Sequence, residues 1–200
     1  MTFTYAKYIR RFFSGTLISR ISGMIRDLSM AYAFGDHPSV AAFMVAFRLS
    51  NLLRRLLGEG PFQSAFVPHY EGIKVKNSEE AKRFFMRFSS LITILLVSLI
   101  LIGEAIIIPL LHKPDSFFYK NEILEMMAYL LPGILFICLY GVNLSFLSCY
   151  ETFFVPSLAP ALCNFCWIIA AFSFKSWGAQ KAMIPLCCSI VGGFFLQWVL

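Results

Sequence analysis

Apolar residues run along this chain in long blocks. The polar residues that interrupt them are of two kinds: clusters that separate the blocks, and single charges placed inside the first two. Windows of about 20 residues predict six membrane spans, Phe12–Phe34, Ser39–Leu57, Phe88–Leu111, Ile123–Tyr150, Ser157–Phe174 and Met183–Leu200. The stretch Gly58–Asn77 contains GEGPFQSAFVPHY, a mixture of Gly, Pro and aromatics beside a span end. It predicts a helix break followed by a second short segment along the inner interface. The GxxxxGK[ST] pattern of a nucleotide P-loop is absent from it.

On a helical wheel with Arg20 at the origin, Arg20, Asp27, Thr16, Gly23, Ser19, Arg26, Gly15 and Ser22 fall within about 160° of arc. Leu17, Ile18, Ile21, Met24, Ile25 and Leu28 fill the other side. Gly15, Ser19 and Gly23 recur every fourth residue, a small-xxx-small stripe on which another helix can approach closely. The second span divides likewise: Arg48, Asn51, Arg54, Arg55 and Glu59 lie on or near one side, and Leu49, Leu52, Leu53 and Leu56 lie opposite. Two half-polar helices imply a shared hydrated cavity.

A single Arg at the centre of a span costs roughly 2.5–3.5 kcal/mol on insertion scales, so an intramembrane cation is by default a site for an anionic partner. Arg20 lies about 12 Å in from the start of its span, Arg48 at a comparable depth from the outer end of its own, and Arg26 nearer the outer surface. Such staggered guanidinium groups suit a moving phosphate. Plainer readings stand beside this one. Arg26 next to Asp27 fits a local neutralising pair, and Arg54 and Arg55 fit anchors that snorkel to headgroups.

Composition agrees with the spans: 58% hydrophobic against 14% charged residues, with mean hydropathy +0.72, is far from the globular balance. Of the 17 Lys and Arg, ten precede the first predicted span or lie at the inner end of the second and in the loop after it, and four lie in the opposite loops. The positive-inside bias therefore places the amino terminus in the cytoplasm, and the net charge of +6 is an orientation signal, not a nucleic-acid footprint. Lys7, Arg10 and Arg11 lead straight into a charged span, so no cleavable signal is expected. The six cysteines lie in the last three spans as small hydrophobes. No metal, cofactor or disulfide is expected, and the scattered His37, His69 and His112 form no ligand set or catalytic triad.

SRISGMIRD (Ser19–Asp27) and VAFRLSNLLRRLLGEGPFQSAFVP (Val45–Pro68), with the spacing between them, closely resemble the amino-terminal signature of the MurJ (MviN) family of lipid II flippases. VPSLAPALCN (Val155–Asn164) and IVGGFFLQ (Ile190–Gln197) extend the match more loosely over the whole chain. The resemblance implies an all-α membrane protein with residues 1–200 forming the amino-terminal six-helix lobe of a two-lobe transporter. The chain also stops inside its sixth span, which reads as one lobe of a longer protein.

The implied activity is non-enzymatic: alternating-access transfer of the undecaprenyl-diphosphate-linked peptidoglycan precursor across the bacterial inner membrane. Lipid II and membrane lipids are the implied partners, with other cell-wall synthesis proteins as further ones. Substrate-binding residues are expected at Arg20, Arg26, Arg48, Asn51 and Arg54, and gating or supporting roles at Ser19, Gly23, Asp27, Arg55 and Glu59. The chain departs from the family pattern at Ala41, where many relatives have an acid, which leaves Asp36 as the substitute if one is needed, and at Ser50, where a proline is common. Transfer of another polyprenyl-linked saccharide, or an enzyme acting on polyprenyl-phosphate lipids, are the rival readings.

Overall fold

The computed structural model describes the chain apart from residues 1, 58–60, 113–119, 151 and 153, and apart from the side chains of residues 2–12, 53–57, 61–63 and 120. It is all-helical over the described residues: α1 (Thr2–Phe34), α2 (Pro38–Leu57), α3 (Pro61–Lys76), α4 (Ser78–Leu111), α5 (Lys120–Ser148), α6 (Phe154–Phe174), a 3₁₀ turn (Lys175–Trp177) and α7 (Ala179–Val199). The six predicted spans correspond to α1, α2, α4, α5, α6 and α7, and the predicted short segment is α3. Pro61 opens α3 where its missing N–H costs nothing.

Two helices extend beyond the predicted spans at their charged ends. α1 begins at Thr2, ten residues before Phe12, and α4 at Ser78, ten before Phe88. Hydropathy windows stop where charge begins, whereas the helix continues through the charged residues. Asn77 sets the start of α4, its side chain accepting from the backbone N–H of Glu79 at 3.0 Å and of Glu80 at 3.3 Å.

The turn between α1 and α2 is tight. Gly35 takes φ +62°, a conformation natural to glycine at a helix end, and its N–H reaches the Ala31 carbonyl at 3.0 Å. Pro38 follows within three residues as the first residue of α2.

Among the described residues, four helical stretches are long and apolar enough to cross a membrane: Ser78–Leu111, Asn121–Ser148, Phe154–Trp177 and Ala179–Val199. α1 and α2 do not meet that standard, because Arg20, Arg26 and Asp27 lie inside one and Arg48, Arg54 and Arg55 inside the other. α4 packs on α5 through Ile92, Leu96, Ile107, Leu131, Ile134 and Cys138, and leaves Leu91, Ile94, Leu101, Ile102 and Ile106 exposed as a face suited to lipid.

The small-residue stripe on α1 lies against α6. A Cβ at Gly15 would overlap the Ser157 side chain, and one at Gly23 would stand 3.7 Å from Asn164 Nδ2. α6 in turn packs on α7 through its own small positions. A Cβ at Gly193 would come within 3.1 Å of the Cys163 backbone. Close backbone approach is what drives helix association where lipid is as apolar as leucine.

One apolar core joins five helices at the end of the bundle where α1 turns into α2. It contains Met30 and Phe34 (α1), Phe43 and Ala46 (α2), Met126 and Leu130 (α5), Trp167, Ala170 and Ala171 (α6), and Met183, Leu186 and Ile190 (α7). A second cluster closes the opposite end of α4 and α5 against α3, through Phe66, Tyr70, Ala81 and Cys149, with Phe84, Phe85, Phe88 and Phe146 around them. Between these two apolar regions the helices leave a cavity.

Candidate functional site

The cavity has a volume of about 870 Å³ and is lined by five helices: Arg26 and Asp27 from α1; Met44, Phe47, Arg48, Asn51 and Leu52 from α2; Ile137, Tyr140 and Leu144 from α5; Pro160, Cys163, Asn164 and Trp167 from α6; Phe194 and Gln197 from α7. Met44 and Trp167 belong to both the lining and the border of the five-helix core. The core stops the cavity at the end marked by the α1–α2 turn.

Arg26 is the most elaborately held side chain in it. Its Nε and Nη2 donate to Asp27 Oδ1 at 2.9 and 2.7 Å, and its Nη1 donates to Asn164 Oδ1 at 3.1 Å. The guanidinium carbon lies 4.5 Å from the centre of the Trp167 ring, within the range of a cation–π contact. Trp167 is itself clasped edge-on by Phe47 at 4.8 Å and Phe43 at 5.5 Å between ring centres. A chain of packed groups therefore runs from α2 through α6 to the α1 cation. Asn164 completes the junction, donating from Nδ2 to the Ser22 hydroxyl at 2.9 Å and to the Ser19 carbonyl at 3.3 Å.

Arg48 is exposed on the α2 wall, and among the described residues it makes no ion pair. Neutral groups stand elsewhere on the lining: Asn51 on α2, Tyr140 on α5, whose hydroxyl donates to the Pro156 carbonyl, and the buried Gln197 on α7. The cavity can thus offer positive charge to an anion from α1 and α2, and amide groups to a polar, uncharged moiety beside it. Among the described lining residues Asp27 is the single carboxylate, and Arg26 engages it.

The expected site residues divide. Arg26, Asp27, Arg48 and Asn51 come together in the cavity. Ser19 and Gly23 belong to the α1–α6 seam, Ser19 through its carbonyl. Arg20 is exposed on α1 and lies outside the cavity lining; it shares a helix face with Asp27, about 10 Å further toward the amino end. Glu59 and the side chains of Arg54 and Arg55 lie outside the described residues. The wheel of α1 merged two surfaces, for the small polar residues seat α6 while Arg20 and Asp27 are exposed, and Arg26 reaches to Asn164 where the two meet. Asn164, Trp167, Ser22 and Gln197 were not among the expected site residues. A lone Asn three positions before a Trp in an otherwise apolar helix was the available signal, since that spacing puts both on one face.

The profile of the family described as lipid II flippase MurJ matches residues 30–200 of this chain. The chain belongs to the MurJ family. Relatives named "Probable lipid II flippase MurJ" include those of Chlamydia pneumoniae, 35% identical over 98% of this chain, and Buchnera aphidicola subsp. Schizaphis graminum, 36% identical over 90%. That of Borreliella burgdorferi is 31% identical over 92%. The chain spans 35–36% of the length of these relatives. The match begins at residue 30, beyond Arg20 and Arg26, but the Chlamydia pneumoniae relative aligns over nearly the whole chain, so likeness to MurJ includes the arginine-bearing helix.

Proposed function

We propose that this chain is the amino-terminal, six-span lobe of a lipid II flippase in a bacterial inner membrane, with its amino terminus in the cytoplasm. The observation that carries the reading is that Arg26 and Arg48, from two different helices, line one cavity. A lipid-linked diphosphate has a large anionic headgroup and a wholly apolar tail. The headgroup needs a hydrated cationic enclosure, and the tail is best left in lipid. The cavity supplies one lobe's share of the enclosure, and Arg20, exposed further along the same face of α1, would extend it once a second lobe stands opposite.

In this orientation the five-helix apolar core lies at the outer end and the cavity on the cytoplasmic side of it, a half-cavity that faces inward. Alternating access would then require the outer ends of α1, α2, α6 and α7 to part while the inner ends close. Each elementary charge that crosses the full membrane field gains about 2.3 kcal/mol per 100 mV, enough for one or two net charges to bias the cycle.

The charge of the cavity bears on the rivals. A cation exporter would favour carboxylates, and an enzyme acting on the same lipid would need a general acid and base free to exchange protons. The described lining instead has two guanidinium groups and one paired carboxylate. Another polyprenyl-diphosphate-linked saccharide has the same charge and differs in its sugars. The test is growth rescue by the full-length protein in cells depleted of their own lipid II flippase. Rescue is expected; failure at normal membrane abundance would contradict the substrate, and rescue of a strain lacking a different polyprenyl-saccharide flippase would favour the second reading.

A further inference from the structure

The three groups that hold the Arg26 guanidinium are not alike. Two come from α6, are uncharged, and are themselves fixed. Asn164 is buried and tied to α1 through Ser22 and the Ser19 carbonyl; Trp167 is buried and gripped by Phe43 and Phe47. The third is Asp27, whose side chain is 64% exposed against 23% for Arg26. Among the described residues Asp27 makes no other hydrogen bond, and it takes both Arg26 donors on one oxygen, Oδ1. That is not the two-oxygen fork in which an arginine grips a carboxylate or phosphate best, and a solvated ion pair contributes little.

We infer that Asn164 and Trp167 are positioning residues that keep the Arg26 guanidinium in place, while Asp27 is an exchangeable stand-in for the anionic oxygens of the ligand. In the empty cavity Asp27 occupies Nε and Nη2 and neutralises the charge. When a diphosphate enters, Asp27 swings into water and the two donors pass to phosphate oxygens, with Nη1 still on Asn164 and the ring still beneath. Only the exposed partner moves, so the cation is oriented before the ligand arrives. When the ligand leaves, Asp27 returns, which keeps binding weak enough for release, a requirement of any transport site. The inference rests on the cavity reading above and adds which residues position the cation and which one competes for it.

The test is calorimetric titration of the purified full-length protein in detergent with inorganic pyrophosphate. Asp27→Asn is expected to bind about tenfold more tightly than the native protein, and Asp27→Ala to shift in the same direction, since a competing charge is removed. Asn164→Asp, equal in size, gives Arg26 a second carboxylate and is expected to bind about tenfold more weakly. Asn164→Leu, which cannot accept the Nη1 hydrogen bond, is expected to be weakened as well. Opposite signs at Asp27 and Asn164 are the signature, because damage to packing would weaken both. Binding detected only in Asp27→Asn supports the inference. Equal or weaker binding by Asp27→Asn, or native affinity in Asn164→Asp, overturns it; if the native protein still binds and Arg48→Ala does not, the cavity reading survives that failure. Absence of saturable binding in the native protein and both Asp27 variants overturns the two together.

Discussion

Arg26 on α1 donates to Asn164 on α6 across 3.1 Å, although 138 positions separate them in the chain. This one contact joins the helix that carries the cation to the helix that carries the aromatic support for it. It also fixes the side on which the small-residue stripe meets α6: Gly15 faces Ser157 and Gly23 faces Asn164, so the two glycines seat the backbone at the depth from which Arg26 can reach. Packing and charge in this bundle are therefore one problem. A change in the seam moves the guanidinium.

The seam gives the first prediction. Gly15→Ala is expected to destabilise the full-length protein by about 1–3 kcal/mol, the usual cost of overpacking, because the new methyl group meets Ser157. Gly23→Ala, with 3.7 Å of room, is expected to cost little. Ser157→Gly in the Gly15→Ala background should restore most of the loss. Thermal melting in detergent measures all three, and equal losses at Gly15 and Gly23 would contradict the assigned face.

At the other end of the bundle, α3 is clasped to the end of α5. Lys74 Nζ donates to the Cys149 carbonyl at 2.8 Å and lies 3.9 Å from the centre of the Tyr150 ring, and the Tyr70 and Tyr150 hydroxyls are 3.0 Å apart. Lys74→Met should weaken this docking by about 1.5–3 kcal/mol, the worth of a hydrogen bond to a charged group, seen as faster hydrogen exchange in α3. Unchanged exchange would show the aromatic cluster alone holds α3. Burial and the Tyr150 hydrogen bond push the Tyr70 phenol above its usual range. Its raised value means the folded state keeps the proton longer, so docking should be flat with pH up to about 10 and fall above it, where the unfolded chain has already lost that proton.

Topology is open to a direct check. Single cysteines placed between Glu71 and Arg87, in a background with native cysteines removed, should be protected from an impermeant thiol reagent in intact cells. Cysteines between His112 and Glu122 should label. The reverse pattern would invert the orientation and put the five-helix core on the cytoplasmic side.

The helices and their order were legible because lipid demands long apolar blocks, and the break at Gly58–Asn77 was legible because Gly and Pro interrupt them. A cavity shared by the first two spans was legible from their two half-polar faces, but the cation expected at the depth of Arg48 was Arg20, and the lining has Arg26 instead. What the sequence did not disclose was which neighbour each face meets. Periodicity assigns an arc on one helix, and Ser22 and Arg26 share an arc yet serve a packed seam and an open cavity. Asn164 and Trp167 lie more than 130 positions from Arg26, and only the packing of α1 on α6 unites them. The helix starts at Thr2 and Ser78 were not legible, because hydropathy windows report apolar stretches and not where a helix begins.

The two cavity cations should differ in their tolerance of lysine. Arg26 uses three nitrogens on two partners and lies over a ring, a geometry that an ammonium cannot reproduce. Arg26→Lys is therefore expected to lose most growth rescue, on the order of a hundredfold in plating efficiency, for a loss of about 3 kcal/mol in charge-assisted contacts. Arg48, exposed and unpaired among the described residues, contributes mainly charge, and Arg48→Lys should rescue within a fewfold of the native protein. Equal defects in the two would contradict the distinction.

The proposed function requires that Arg26 and Arg48 act on the anionic headgroup inside one cavity. Its most direct test is growth rescue of flippase-depleted cells by full-length Arg26→Ala and Arg48→Ala variants, each with a membrane-abundance blot. Both are expected at native abundance, and neither is expected to support growth. Full rescue by both at unchanged abundance would contradict that requirement and leave these arginines as features of packing or insertion.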